Sequence, residues 1–387
     1  MSVIKEKDSL YIANTYARFP VEIKKGKGAI LYGFDNKEYI DLTSGIGVNS
    51  FGIADKAWQK AIKSQLKKVQ HTSNLYYTEP SVKLAELIIK KTGLKKVFFG
   101  NSGAEANECA IKVARKYASD KKGKEYYNII TLKDSFHGRT ITTLSATGQD
   151  HYHELFNPLT QGFLYAEKNI ESVKKLVKEE KVAGIMVEIV QGEGGVIPLD
   201  KEFLVEVEKI CKEEDILLII DEVQTGNGRT GKLYAYMNYG LTPDIITTAK
   251  GLGGGLPIGA CVLGEKVEKV LGFGDHGSTF GANPVCSAGA VSVMERLTDE
   301  FLEEVNKKSQ FVFEFFKDKK GVVSVDGLGL MIGIKIEKEV KTVIAECIER
   351  GVLCLSAKDK LRLLPPLNIP MNVLEKALNV IAEVLAN

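Results

Sequence analysis

The sequence predicts an α/β protein: a large central domain with a mostly parallel sheet flanked by helices, plus a smaller α+β domain formed from both termini. Three observations predict it. Short apolar runs alternate with helical stretches through the middle of the chain. Such continuous runs suit strands covered on both faces, as parallel sheets are. The two ends follow another pattern, a strand meander at the start and long amphipathic helices at the close.

The elements follow in chain order. Residues 19–45 include GKGAILYGFDNKEYIDL, with turn signals at Gly33 and at Asp35-Asn36, and read as a small strand meander. The apolar run Val97–Phe99 precedes a helical stripe of Ala106, Ala110, Val113, Ala114 and Tyr117. Val182–Val190 reads as a buried strand. Phe203–Glu214 follows as a helix with Phe203, Val207, Ile210 and Cys211 on one face. Ile216–Ile220, Asp244–Thr248 and Ala260–Leu263 are the next strands. Residues 285–387 hold long amphipathic helices, a glycine-rich strand at Gly327–Ile336 and the segment LRLLPPLNI. These patterns place the expected boundaries at 1–58, 59–282 and 283–387, with the outer two pieces forming the smaller domain.

Composition narrows the function classes. The 387 residues carry 52 basic and 50 acidic side chains, a net charge of +2, with 44% apolar and 26% charged residues. That excludes a disordered or collagen-like chain. The balance leaves no electrostatic footprint for nucleic acid, and the scattered lysines read as a solvated surface. No apolar run is long enough to cross a bilayer, so no membrane partner is expected. The opening MSVIKEKDSLYIANTY lacks the apolar run of a signal peptide. Six dispersed cysteines form no C-x-x-C pair, which suits free thiols in a reducing compartment. A cytoplasmic protein with no metal is expected.

Three segments can carry chemistry. In N-S-G-A-E-A-N at 101–107, Ser102 and Glu105 have the S-x-x-E spacing of a capping box. A glycine-softened helix start at the end of a strand is an anion site, although alone it reads more readily as a capped structural helix. In I-I-D-E-V-Q-T-G at 219–226, Asp221 ends a strand. A carboxylate buried there needs a positive partner, such as a protonated ring nitrogen; the alternative is an exposed loop acid. In T-T-A-K-G-L-G-G-G at 247–255, Lys250 follows a strand and precedes a glycine cluster. A lysine among small and apolar groups loses its charge readily and becomes an amine nucleophile; the alternative is a mobile surface loop.

Two other patterns carry nothing. Gly226–Lys232 has P-loop spacing, but Leu233 stands where the Mg²⁺-binding hydroxyl belongs. His151 and His153 are two residues apart and would not share a helix face.

The combination is more specific than its parts. An anion-binding helix start, an acid at a strand end, and a lysine 250 − 221 = 29 residues later match the phosphate, ring nitrogen and aldehyde of pyridoxal 5′-phosphate.

The motifs NSGAEAN, SFHGRT, QGEGGV, DEVQTGNGRTG, TTAKGLGGG, STFGANP and LRLLPPL occur in that order. With them the chain resembles the class III, fold-type I pyridoxal-phosphate aminotransferases over nearly its whole length. NTYARFPVEIKKGKGAILY and HTSNLYYTEP resemble that family's acetylornithine branch. The resemblance implies one pyridoxal 5′-phosphate per subunit, held by Lys250 as a Schiff base, with Lys250 also moving the proton. It implies that Asp221 meets the ring nitrogen, Val223 and Phe136 face the two sides of the ring, and Gln224 bonds its hydroxyl. Ser102, Gly103 and Ala104 would take the phosphate, Thr279 would reach the phosphate of the neighbouring subunit in a homodimer, and Glu188 would lie deeper.

For the substrates, the resemblance implies that Arg139 and Ser278 belong to the binding site. Arg139 would hold the far carboxylate. Arg362 would hold the carboxylate beside the reacting centre of glutamate or 2-oxoglutarate, and Glu193 would swing onto Arg362 when N-acetylornithine leaves it unpartnered. The implied activity is transfer of the terminal amine of N-acetylornithine to 2-oxoglutarate. Ornithine, succinylornithine, succinyl-diaminopimelate, N-acetyllysine-type and 4-aminobutyrate transaminases share the same cofactor residues. The chain departs from the family's pattern twice: SGIGVN is followed by SFGIADKAW, without the G-H-x-H-P segment, and Ile189 replaces a proline before QGE.

Overall fold

In the computed structural model, which describes residues 2–387, the apolar runs of the middle of the chain lie side by side in one seven-stranded sheet. The chain enters through β1 (Ile23–Lys27), β2 (Ile30–Gly33) and β3 (Glu38–Asp41), an antiparallel meander. Its turn closes where Gly33 and Asp35-Asn36 signal it, with the Gly33 amide donating to the Lys37 carbonyl at 2.9 Å.

Next come β4 (Lys96–Gly100), β5 (Asn128–Leu132), β6 (Phe163–Ala166) and β7 (Val182–Val187). A two-stranded ribbon, β8 (Val190–Gln191) and β9 (Ile197–Pro198), follows. The central strands then resume with β10 (Leu217–Asp221), β11 (Ile245–Thr248) and β12 (Gly259–Leu263). The sheet order is β4-β12-β11-β10-β7-β5-β6. The pairs β5/β6, β5/β7, β7/β10 and β10/β11 are parallel, whereas β12 runs antiparallel to both its neighbours. Every residue of β7, β10, β11 and β12 is buried, which is why these runs carry no polar alternation.

The C-terminal strands are β13 (Val322–Leu328), β14 (Met331–Ile336), β15 (Val352–Leu353), β16 (Leu355–Ala357) and β17 (Lys360–Leu363). β15 pairs in parallel with β3, so one small sheet is shared by the two ends of the chain. The other small sheet has the order β13-β14-β17-β16.

Two expectations need correction. Gly327–Ile336 is not one strand but the close of a hairpin, because Gly327, at φ +133°, and Gly329, at φ +61°, turn the chain between β13 and β14. The run Val182–Val190 leaves the large sheet after Val187, and Val190 pairs instead with Pro198.

Helices begin and end on local signals. Ser102 caps the helix Gly103–Lys122, its hydroxyl accepting from the Glu105 amide at 3.2 Å, a contact worth about 1 kcal/mol. Gly93, left-handed at φ +75°, ends the helix Glu79–Thr92, which carries proline in its first turn. The Gly103–Lys122 helix buries the expected stripe of Ala106, Ala110, Val113, Ala114 and Tyr117. The helix Lys201–Glu213 likewise buries Phe203, Val207, Ile210 and Cys211.

Candidate active site

The carboxyl ends of β4, β5, β7, β10 and β11 emerge at one edge of the large sheet. The reversed strand β12 begins at that same edge, Gly259 pairing with Gly100. The segments attached to these ends, with Val48, enclose a cavity of about 520 Å³. Ser102, Gly103 and Ala104 follow β4, and Phe136 and Arg139 follow β5. Glu188 follows β7, Asp221 with Val223 and Gln224 closes β10, and Lys250 follows β11. Ligands of open α/β sheets bind at this edge because the loops there converge and the helix starts point inward.

Part of the cavity wall is the helix start. Gly103 and Ala104 lie ahead of the first intrahelical bond, from the Ala106 amide to the Ser102 carbonyl at 3.1 Å. Their N–H groups and the positive end of a 20-residue helix favour an anion. Ser102 is a cap: its hydroxyl also donates to the Glu105 carboxylate at 2.9 Å. That carboxylate accepts from the Asn101 amide at 2.8 Å, so the expected capping box is closed one residue early. Gly103 is required here because a Cβ would stand 2.6 Å from Val223 Cγ1. That approach brings the helix start and the β10 loop together.

Asp221 is buried, not an exposed loop acid. Its Oδ2 accepts from Asn107 Nδ2 and pairs with His137 Nδ1, both at 2.8 Å, and its Oδ1 accepts from the Val223 amide at 3.0 Å. Burial disfavours the His137 imidazolium, but the bond to Asp221 and the charges of Asp221 and Glu188 override it and raise its pKa. The carboxylate is thus oriented by two side chains from two other elements. Neither His137 nor Asn107 was singled out from sequence. Both lie inside quoted motifs, SFHGRT and NSGAEAN, and the signal available was a polar residue on an otherwise buried face. Glu188 is pushed upward in pKa, chiefly by burial. It accepts from the Phe136 amide at 2.9 Å and from the Gly192 amide at 3.4 Å, tying two cavity loops together.

Lys250 opens a short 3-10 turn with φ at +42°, a conformation that strains any side chain. Burial lowers its pKa, and Arg362 adds to that; Glu193, Asp221 and Glu188 act in the opposite direction. The result is an amine that gives up its proton more readily than an exposed lysine, lining the same cavity as Asp221.

Beside the cavity, Arg362 projects from β17 and is 3% exposed. Its Nη1 donates to Glu193 Oε1 at 2.6 Å and its Nη2 approaches Glu193 Oε2 at 3.5 Å. Nη1 also lies 3.4 Å from both the Gly192 carbonyl and Gln224 Oε1. Burial raises the Glu193 pKa, but Arg362, helped by Lys250 and Gln224, more than reverses this and holds it below the ordinary range. Arg139 lies at the exposed rim, its guanidinium 4.5 Å from the Tyr152 ring centre and 5.6 Å from that of Phe136. Ser278 lies outside the cavity lining, its hydroxyl accepting from Asn101 Nδ2 at 3.0 Å. Thr279 is exposed and also outside the lining.

Among the described residues, no group of histidine, cysteine and acidic side chains could hold a metal, and no helix is long and apolar enough to cross a membrane. The spacing G-x-G-x-x-G occurs at 226–231 and 272–277, but neither run joins a strand end to a helix start, as a dinucleotide site requires.

Comparison with known proteins gives a consistent picture. Residues 11–385 match the family described as aminotransferase class-III. The chain is 51% identical over 386 residues to the acetylornithine aminotransferase of Haemophilus ducreyi, covering 99% of this chain and 98% of that one. It is 45% identical to the acetylornithine aminotransferase of Methanocaldococcus jannaschii, covering 97% and 96%. Among solved structures it is similar to the N-acetylornithine aminotransferase of Stenotrophomonas maltophilia, with TM-score 0.85, 32% identity and 98% of each chain covered. It is also similar to the ornithine aminotransferase of Toxoplasma gondii ME49, with TM-score 0.95, 29% identity, and 99% and 94% covered.

Proposed function

The chain belongs to the class III aminotransferases, and from that premise we propose that it transfers the terminal amine of N2-acetyl-L-ornithine to 2-oxoglutarate. The products are N-acetyl-L-glutamate 5-semialdehyde and L-glutamate, a step of arginine biosynthesis. The family implies pyridoxal 5′-phosphate, and the residues present fit it. The helix start at Gly103 and Ala104 suits the phosphate, buried Asp221 suits a protonated ring nitrogen, and Val223 and Phe136 line the space between. When bound, the group supplies an aldehyde that exchanges amines and a ring that accepts electrons.

The chain's own residues do the rest. Lys250 Nζ, whose proton burial makes easier to lose, would tether the cofactor and would take and return the proton at the reacting carbon. Asp221, locked by His137 and Asn107, would present its carboxylate to the ring nitrogen. Gln224 bonds the ring hydroxyl, Glu188 holds the loop that carries Phe136, and Ser102 keeps the helix start in place.

One observation carries the substrate reading: Glu193 already covers Arg362 at 2.6 Å. A buried guanidinium left alone costs about 3–5 kcal/mol. N-acetylornithine offers no carboxylate at that end, so Glu193 supplies one. Glutamate and 2-oxoglutarate do offer one, and Glu193 then moves aside. Arg139 takes the remaining carboxylate of each substrate at the rim, and Ser278 is a further substrate-binding residue of this reading. Thr279, exposed in the single chain, completes the phosphate site of a second copy, which makes the working unit a homodimer.

The test is single-turnover absorbance of the cofactor-loaded protein mixed with one amine and no keto acid. N-acetylornithine should discharge the cofactor band fastest among N-acetylornithine, ornithine, succinylornithine and 4-aminobutyrate. A faster reaction with another of these amines would reassign the substrate within the family and leave the cofactor chemistry intact.

A further inference from the structure

The sequence around Arg229, GNGRTGK, matches no phosphate-binding loop, and the chemistry above does not use it. Yet Arg229 is 2% exposed, and its Nε has no partner among the described residues. Burying a guanidinium without a direct carboxylate is costly, so its remaining donors must be well used. Burial pulls its pKa down and Asp41 resists.

Those donors go to main-chain oxygens. Nη1 donates to the Leu330 carbonyl at 3.0 Å and to the Pro365 carbonyl at 2.6 Å, and Nη2 reaches Ser44 Oγ at 3.4 Å. The Leu330 amide donates back to the Arg229 carbonyl at 2.9 Å. Leu330 immediately precedes β14, and β14 pairs with β17 through Gly333 and Arg362. Pro365 lies three residues beyond Arg362. Pro365 and Pro366 have no N–H, so this stretch cannot continue the strand ladder. Its carbonyls take side-chain donors: Leu364 from the Ser44 hydroxyl at 2.6 Å, Pro365 from Arg229, and Leu367 from Lys308 Nζ at 2.9 Å, while the Leu364 and Leu367 amides donate to the Leu42 and Ser50 carbonyls at 2.7 and 2.8 Å. At its other end, Arg229 belongs to the loop that begins with Val223 and Gln224.

We infer that Arg229 is a positioning residue: it sets the strand carrying Arg362 against the cofactor loop, so that Arg362 meets the carboxylate of the keto acid in register. The inference rests on the reading of Arg362 as that carboxylate's anchor. Gly329 offers an independent approach to the same joint. A Cβ there would lie 2.5 Å from the Arg229 carbonyl oxygen and 2.5 Å from Thr230 atoms, and its φ of +61° disfavours any side chain. Gly329→Ala therefore displaces the hairpin while leaving the guanidinium intact.

The experiment compares Arg229→Lys, Gly329→Ala and Arg362→Lys holoenzymes in separate half-reactions followed by cofactor absorbance. Arg229→Lys and Gly329→Ala should each weaken 2-oxoglutarate binding about tenfold. Both should leave the N-acetylornithine half-reaction within about twofold of the parent. Equal losses in both halves, or no change toward 2-oxoglutarate, would overturn the inference and leave Arg229 a stability element. If Arg362→Lys itself leaves 2-oxoglutarate binding unchanged, the anchor reading falls, and this inference with it. If Arg362→Lys weakens it and the other two variants do not, only the positioning role is overturned. Should Arg229→Lys fail to fold, Ser44→Ala, which removes one donor to Leu364 and one acceptor of Arg229, is expected to show the same one-sided weakening.

Discussion

Asp221 closes β10 and Lys250 follows the adjacent parallel strand β11, so strand pairing sets the two on neighbouring chain segments. Burial makes Lys250 a weaker acid-holder and a better nucleophile. Lys250→Ala should cut turnover by about 10³ or more while the protein stays folded, as steady-state rates and melting curves would show. Asp221→Asn keeps the shape but surrenders the charge that meets both His137 and the ring nitrogen. Its kcat should fall about 10²–10³-fold, with the cofactor band shifted; unchanged kinetics would remove Asp221 from the mechanism. Glu193 acts differently, because among the described residues its only charged partner within bonding distance is Arg362. Glu193→Ala should slow the N-acetylornithine half-reaction more than the glutamate half-reaction, and equal effects measured by rapid mixing would rule out gating.

At the scale of elements, the site is a meeting of strand ends with one helix start. One close joint is Gly103 against Val223. Gly103→Ala places a methyl into Val223 and must separate the helix N–H groups from the β10 loop. Cofactor should then dissociate faster on dialysis, while melting of the cofactor-free protein changes little. The hairpin from β13 to β14 was misread as a single strand because a glycine-rich apolar run looks the same whether it continues or reverses. Only the positive φ values of Gly327 and Gly329 decide. The reversal of β12 is equally silent in sequence, since a strand buried on both faces reads as an unbroken apolar run in either direction.

For the whole molecule, a buried carboxyl links folding to pH. Glu222 is fully buried, and burial pushes its pKa up to about 7 from 4.5. Its carboxyl accepts from the Thr225 hydroxyl at 2.5 Å and from the Tyr236 amide at 2.9 Å, closing the loop that carries Val223 and Gln224. The folded protein therefore holds this proton where the unfolded chain has released it. The stabilisation it contributes is complete below about pH 4.5 and is lost as pH rises through about 7. Glu222→Gln should flatten the fall in melting temperature across that window; an unchanged slope would show that another group carries the linkage.

The residue types and short spacings of this chain already dictate the α/β alternation, the capped helix start, the acid at the end of β10 and the lysine after β11. Each is a local property: period, cap, turn and strand end are set within a few residues. Resemblance in ordered motifs then led from those residues to Arg139, Glu193 and Arg362. Contacts across space were settled only by tertiary structure. His137 and Asn107 reach Asp221 from 84 and 114 residues away. Glu193 finds Arg362 across 169 residues, and Arg229 finds Pro365 across 136. Such pairs leave no periodic trace in the chain, because their partners are chosen by how the sheets pack, and burial gives each pair its energy only once they do.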